Sequence, residues 1–357
     1  MSSSSFRLIA EYIWLDSEYS FRSKTRIIYN DLRRPLIIPD DKSSVEWIPK
    51  WNYDGSSCGQ SDIGIGINTE IELYPVYWCW DPFRKEIMDR GQHSHTRCIM
   101  VLCDNNATAS SRRNHAVESF KKPQTSEPWF GIEQEYYLVN SENSKCPYGY
   151  TESNMPKHQK RFYCNMSREN GRDVAEKHMW YCMSADLKIA GINAEVGPSQ
   201  WEYQIGPCVG ISAGDELMLS RYIMERIVSD IPGMTISWNP KPFRQYNGSG
   251  CHTNFSTKEM RENDGYKHII RSINLLSQRC ANAQNDLYGV DNYLRTTGTH
   301  EAPSSKEFSY GVGTRHTSIR IGKQTSEDQK GYYEDRRPGA NMNPYYVIAQ
   351  LNNSTLH

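Results

Sequence analysis

Acidic residues stand inside short runs that are otherwise apolar or aromatic, and three such runs lie between residues 131 and 203. Gly131-Ile132-Glu133-Gln134-Glu135-Tyr136 carries two, and Asn193-Ala194-Glu195 and Trp201-Glu202-Tyr203 carry one each. An unpaired charge in such a run is costly to bury, so these segments cannot become ordinary core strands. On a strand, residues two apart point to the same side, roughly 6.6 Å apart at about 3.3 Å rise per residue. Two carboxylates aimed at one place repel unless a cation sits between them, and hard divalent cations prefer such oxygen ligands. Taken alone, Glu-x-Glu is more often a solvated strand face. Its recurrence in similar settings sharpens the case for a shared cation.

Arg7–Asp16, Thr25–Tyr29, Glu70–Trp78 and Arg97–Cys103 are predicted as strands, joined by segments rich in Gly, Pro, Ser and Asp. The first hundred residues therefore form a small sheet domain. The polar stretch Asp104–Ser111 is the expected boundary, with Ser110 or Ser111 capping a helix that runs towards Phe120. Beyond it, Trp129–Val139, Asn193–Val196 and Gln200–Ile205 are predicted strands. Arg172–Ala190 is a predicted helix stopped by Gly191. A second runs from Ser212 to about Ser229, with Ser212 and Asp215 as a capping box. Gly265–Asn285 is a third, and Asn343-Pro344 opens the last. The expectation is an α+β chain of two domains, 1–105 and 106–357.

Lys and Arg number 41 against 42 Asp and Glu, a formal charge of −1. Such a balance gives no global field to hold nucleic acid or an anionic membrane. The longest wholly apolar run, Cys98–Cys103, is far short of a membrane span, and the first residues lack the apolar core of a secretory signal. Ten cysteines are scattered with no Cys-x-x-Cys pair, so reduced, mostly buried thiols in a cytoplasmic chain are expected. No phosphate loop exists: the one Gly-Lys, Gly322-Lys323, continues with Gln324. Gly64-Ile65-Gly66 lacks the third glycine of a dinucleotide fingerprint, and His93-Ser94-His95 has no Glu at zincin spacing. Both read as loops.

Three further segments carry chemistry. His252 follows the Gly248 and Gly250 pair in Asn247–Ser256, where backbone can approach a ligand closely. Glu334 precedes Asp335-Arg336-Arg337-Pro338, an acid beside a guanidinium pair suited to bidentate phosphate contact. Arg315 and Arg320 lie five apart in Gly313–Arg320. Surface salt bridging stays open for each arginine taken singly.

Seven ordered blocks make the pattern specific. Trp51–Ser57, Asp81–Lys85, Trp129–Tyr136, Lys188–Glu195, Gln200–Cys208, Gly250–Ser256 and Gly331–Pro338 together resemble glutamine synthetase of the eukaryotic type, over almost the whole chain. The resemblance implies a β-grasp-like N-terminal domain and a larger catalytic domain with a curved antiparallel sheet flanked by helices. It implies ATP-dependent ligation of ammonia to the side chain of L-glutamate through a γ-glutamyl phosphate. A glutamate–amine ligase using a larger amine and an inactive structural relative are the alternatives.

On the same resemblance, Glu135, Glu195 and Glu202 hold one metal, and Glu133, His252 and Glu334 another, with Glu202 close to both. Two or three Mg²⁺ or Mn²⁺ ions per site are implied. Asn247, Gly248, Arg295 and Arg336 grip glutamate, with His252 and Arg315 beside it. ATP lies against Trp129, Pro207, Asn254, Ser256 and Tyr332, with Arg315 and Arg320 on its phosphates. Glu301 is the flap carboxylate. Glu70 falls where the family has its ammonium-binding aspartate, one methylene longer. The resemblance further implies a homo-oligomer, a decamer of two stacked pentameric rings with sites between neighbouring subunits, and no nucleic acid or membrane partner.

Overall fold

The computed structural model describes residues 6–30, 37–60, 69–84, 96–105, 112–121, 126–159, 161–166, 171–279, 286–300 and 302–355. The chain divides into two compact units. One comprises residues 1–114 with Tyr181–Leu187, the other 115–180 with 188–357.

The first unit is built on a five-stranded sheet in the order β2-β1-β5-β4-β3. These strands are β1 (Phe6–Leu15), β2 (Phe21–Asn30), β3 (Trp51–Asp54), β4 (Glu70–Trp80) and β5 (Thr96–Asn105). All neighbours are antiparallel except β1 and β5. Alternation along β1 sends Leu8, Ala10, Tyr12 and Trp14 into one core with Tyr53, Trp78, Ile99 and Val101. On the other face Glu11 pairs with Arg84, which also binds Asp81. The segment 181–187 belongs to this unit and packs on it. Tyr181 meets Phe83 edge-on at 5.0 Å, and Lys42 pairs with Asp186.

The second unit carries a curved, mainly antiparallel sheet of eight strands, β11-β12-β13-β10-β6-β8-β7, with β9 also on β6. They are β6 (Trp129–Asn140), β7 (Ile189–Ala194), β8 (Gln200–Val209), β9 (Met234–Ser237), β10 (Cys251–Ser256), β11 (Tyr310–Val312), β12 (Ile319–Ile321) and β13 (Tyr333–Asp335). Around it lie α1 (Arg112–Lys121), α2 (Arg172–Ser184), α3 (Ser212–Ser229), α4 (Lys258–Arg261), α5 (Gly265–Arg279), α6 (Lys323–Asp328) and α7 (Pro344–Asn353). Helix α3 is buried along most of its length. Helix α7 opens as its sequence predicts, with the Asn343 side chain accepting from the Tyr346 amide at 3.0 Å and proline in the first turn.

Two expectations are corrected here. The helix from Arg172 ends at Ser184, because Asp186 adopts a left-handed conformation (φ 59°), and Ile189–Ala194 is a strand. Gly191 is thus no helix stop. It faces β8, where an added Cβ would come 2.7 Å from Gln204 Oε1. Ser212 and Asp215 form no capping box: the residue before α3 makes no side-chain cap, Ser212 donates to the Val209 carbonyl, and Asp215 accepts from the buried Tyr345 hydroxyl at 2.7 Å. The end of the predicted helix at 280–285, Ser110 and Ser111, the loops around Gly64 and His93, and Glu301 lie outside the described residues. Nine cysteines are described, all as free thiols.

Candidate active site

Strand register assembles the site. Across β10 and β6, His252 stands opposite Glu133. Across β6 and β8, Glu135 stands opposite Glu202, which faces Asn193 on β7. Glu334 on β13 lies between Asn254 on β10 and Arg320 on β12. The alternation of β6 sends Glu133 and Glu135 to one face and Gln134, fully buried, to the other.

The outcome is two groups of ligand-type atoms, each within 4.8 Å of one another. Glu133, His252 and Glu334 form one, and Glu135, Glu195 and Glu202 the other. His252 Nδ1 lies 3.7 Å from Glu133, 3.8 Å from Glu135 and 3.5 Å from Glu334. These separations are too long for good hydrogen bonds. They fall between the cis spacing, about 2.8–3.3 Å, and the trans spacing, about 4.0–4.6 Å, of ligands about 2.0–2.3 Å from one octahedral cation. Burial first, and the charge of Glu195 second, push the Glu135 carboxyl up to about 8. Burial, then Glu133, Glu135 and Glu195, push Glu202 well above the carboxylate range. Acids so crowded are relieved by a divalent ion. His252 is held well below its ordinary value, by burial and then by Arg336, so its imidazole is neutral and offers a lone pair. Five carboxylates and one imidazole suit Mg²⁺ or Mn²⁺, and the donor set fits the implied ions.

Amides hold these acids in place. Gly250 N–H donates to Glu135 Oε2 at 2.8 Å, and Gln200 reaches the same oxygen at 3.3 Å. Asn193 donates to Glu195 at 3.0 Å, and Gln204 bridges Asn193 and Glu202. Sequence reasoning missed Asn193, Gln200 and Gln204. Gln204 stands two residues from Glu202 on β8, and Asn193 stands two from Glu195, which follows the end of β7, a period-2 signal in the sequence.

Beside the clusters is a cavity of about 470 Å³. Trp129, Pro207, Asn254, Ser256 and Tyr332 all line it, together with Glu133, Gln204 and Arg261. Trp129 and Tyr332 are large aromatics left exposed at an apolar opening, the form of a stacking surface for a planar ring. Arg261, absent from the sequence reading, lies 3.9 Å over the Trp129 ring and bonds Ser256. At Gly206, between the cavity walls, φ is +125° and an added Cβ would strike the Phe130 carbonyl at 2.6 Å.

The cationic residues take different positions. Arg336 Nη1 lies 2.6 Å and Arg320 Nε 3.0 Å from the two oxygens of Glu334, so the acid is flanked by both. Arg295 is buried, which brings its guanidinium down to about 10. Its Nη2 donates to the carbonyls of Arg336, Arg337 and Pro338 at 3.1, 2.7 and 2.9 Å, fixing the backbone that carries Arg336. Gly248 packs under Arg295, where a Cβ would come 2.4 Å from Cγ. Asn247 is buried against Gln159, while Arg315 is exposed and bonds the Tyr163 hydroxyl. Tyr163, also missed, feels Glu195 as well as Cys164. Glu70 lies in the first unit, exposed at the start of β4 and directly across from Asp54.

Residues 111–357 match the family model described as glutamine synthetase, catalytic domain. The chain belongs to the glutamine synthetase family. It is 41% identical over 367 aligned positions to a glutamine synthetase cytosolic isozyme of Daucus carota, covering all of this chain and 97% of that protein. A nodule isozyme of Lupinus luteus shows the same identity and coverage. Cytosolic isozyme 2 of Vitis vinifera is 41% identical over 361 positions, 98% of this chain and 94% of that protein. Glutamine synthetases are glutamate–ammonia ligases that use ATP and Mg²⁺ or Mn²⁺, and the acidic clusters sit in the part of the chain the family model covers.

Proposed function

We propose that the two clusters are the divalent-ion sites of a glutamate–ammonia ligase. Glu135, Glu195 and Glu202 hold one ion, and Glu133, His252 and Glu334 the other, with Glu202 near both. The observation that carries this is the pairing of the two donor groups through a single strand, β6, beside a cavity whose wall includes Glu133. Mg²⁺ or Mn²⁺ bound there supplies charge neutralisation and orientation for the ATP phosphates.

A free carboxylate is a poor electrophile, because its leaving group would be oxide. Phosphorylation of the glutamate side chain by ATP solves this, and ammonia then displaces phosphate. Arg336 and Arg320, on either side of Glu334, place positive charge where the transferring group gains negative charge, and Arg315 adds a third guanidinium. Asn247 and Gly248, braced by Gln159 and Arg295, present the glutamate-binding edge. The base stacks on Trp129 and Tyr332, with Pro207, Asn254 and Ser256 completing the pocket. Glu70 opposite Asp54 supplies negative charge for ammonium and accepts its proton. Glu301 shields the acyl phosphate from water.

In this reading residues 1–105 are the N-terminal domain and 106–357 the catalytic one. The chain works as a homo-oligomer, a decamer of two stacked five-membered rings, in which neighbouring subunits share each site. A cytoplasmic setting follows from relatives named cytosolic isozymes.

The test combines turnover and ion counting. Phosphate release should require both glutamate and ammonia. Electron paramagnetic resonance of Mn²⁺ should show one ion fewer in Glu135→Gln and in His252→Asn than in the parent chain. Unchanged ion counts in both variants would remove the assignment.

A further inference from the structure

The face of β6 and β10 opposite the acids carries a buried cation that the reaction does not touch. Arg221, on α3, is 7% exposed. Its Nε donates to Gln134 Oε1 at 2.8 Å, Nη1 to the Met342 carbonyl at 3.1 Å, and Nη2 to the Ala340 carbonyl at 2.9 Å and towards Cys251 Sγ at 3.7 Å. Gln134 closes the network, donating to the carbonyls of Glu135 and Ala340 at 2.8 and 3.0 Å, and Cys251 Sγ lies 3.3 Å from Gln134 Oε1. Among the described residues the carboxylate that feels this guanidinium is Glu225, one turn along α3, and it is bonded instead to Trp238 Nε1 at 2.8 Å.

Gln134 separates Glu133 from Glu135, Cys251 precedes His252, and Gln134 and Cys251 are register partners. One guanidinium therefore grips, from behind, the strand positions adjoining three of the six clustered ligands, together with the chain that follows Arg336. Burying a charge on neutral partners costs several kcal/mol, and an apolar side chain of like volume commonly serves stability as well or better. What an apolar residue cannot do is reach acceptors on three segments at once. That takes a planar fork of fixed geometry, which lysine also lacks.

We propose that Arg221 is a positioning residue for the two carboxylate clusters, setting β6 against β10 and hence the spacing of Glu133, Glu135 and His252. The proposal rests on the reading of those clusters as divalent-ion sites. Its effect is indirect, since Arg221 touches neither substrate nor any of the six ligands.

The experiment measures Mn²⁺ binding to the full-length chain by electron paramagnetic resonance, alongside thermal unfolding and steady-state kinetics. Arg221→Lys keeps the charge, Arg221→Met keeps the volume, and Tyr345→Phe removes an unrelated buried hydrogen bond to Asp215 from the same helix. Both Arg221 variants should bind Mn²⁺ about tenfold more weakly, the low end of the effect of outer-shell substitutions on metal sites. Raised Mn²⁺ should restore part of their kcat. Tyr345→Phe should lower the unfolding temperature yet bind Mn²⁺ as the parent does. Parental Mn²⁺ affinity in Arg221→Lys and Arg221→Met would overturn the positioning role, as would weakening in Tyr345→Phe equal to theirs. Glu135→Gln separates the two levels. If it too binds Mn²⁺ like the parent, the ion-site reading fails and takes this proposal with it; if only Glu135→Gln is weakened, the positioning role alone is wrong.

Discussion

The side-chain amide of Asn254 donates to Glu133 Oε1 at 2.8 Å. Asn254 lines the 470 Å³ cavity, so one hydrogen bond joins the proposed nucleotide pocket to a proposed metal ligand. A hydrogen bond to a charged group is worth about 1.5–3 kcal/mol, and 1.4 kcal/mol is tenfold. Asn254→Ala should therefore raise the KM for ATP by roughly tenfold or more. It should also raise the Mg²⁺ concentration needed for half-maximal rate. A change in one of these without the other would show that the bond does not couple the two sites.

Glu195→Ala tests the second cluster through a reversal of sign. Without metal, three carboxylates within 4.8 Å repel, and removing one relieves the others. The variant should then unfold at the same temperature as the parent or higher in chelator. In excess Mg²⁺ the parent should gain stability that the variant does not, because ligand binding stabilises by mass action. Phosphoryl transfer should be abolished. A variant less stable than the parent in chelator, with the same gain from Mg²⁺, would mean that Glu195 serves the fold and not an ion.

How far the sequence reached depended on whether a residue's role was local. β1, β4, β5, β6 and β8 were legible because their Ile, Val, Trp and Tyr runs are long enough to show the period. The acids in β6 and β8 and just past β7 were legible because a charge in such a run demands a partner. The three-residue strands β11, β12 and β13 were not, since three residues carry no periodicity. Gly191 was misread because a glycine that admits Gln204 across a sheet looks, in sequence, like one that ends a helix. Asp215 failed as a cap because its partner, Tyr345, lies 130 residues away. Arg221 and Arg261 were invisible for the same reason, their acceptors being scattered along the chain.

His178 should make the fold acid-sensitive. It is fully buried, its Nε2 donates to the Ser220 carbonyl at 2.9 Å, and its ring packs on Tyr203 at 4.5 Å. Burial pulls it from 6.5 down to about 4. The unfolded chain thus binds a proton below about 6.5 that the folded chain refuses until about 4, so stability is present above that window and falls as pH drops through it. The loss at pH 5 relative to pH 7 is on the order of 2 kcal/mol. His178→Gln removes the titration, and its stability difference between pH 7 and pH 5 should shrink by about that amount. Identical pH dependence of the denaturant midpoints would place the acid sensitivity elsewhere.

In the proposed mechanism Glu301 guards the intermediate and does not form it. Glu301→Ala should keep substantial glutamate-dependent ATP hydrolysis, because activation still occurs, while amide formation falls as water competes for the acyl phosphate. Parallel assays of phosphate and glutamine decide the matter. Equal loss of both would move Glu301 into phosphoryl transfer.

The shared-site assembly can be tested by mixing two dead chains. Glu70 lies in the first unit, whereas Arg336 and all six clustered ligands lie in the second. If neighbouring subunits in a ring each contribute one half, Glu70→Ala and Arg336→Ala should each be inactive when assembled alone. Co-assembled one to one at random, a site needs an intact Glu70 from one chain and an intact Arg336 from its neighbour, which occurs at about a quarter of sites. Activity near that fraction of the parent is expected, and it should vanish if the variants are assembled separately and then combined without exchange. Native mass spectrometry must first show the oligomers to be mixed. A mixed oligomer with no recovered activity would place both residues in a site built by one chain.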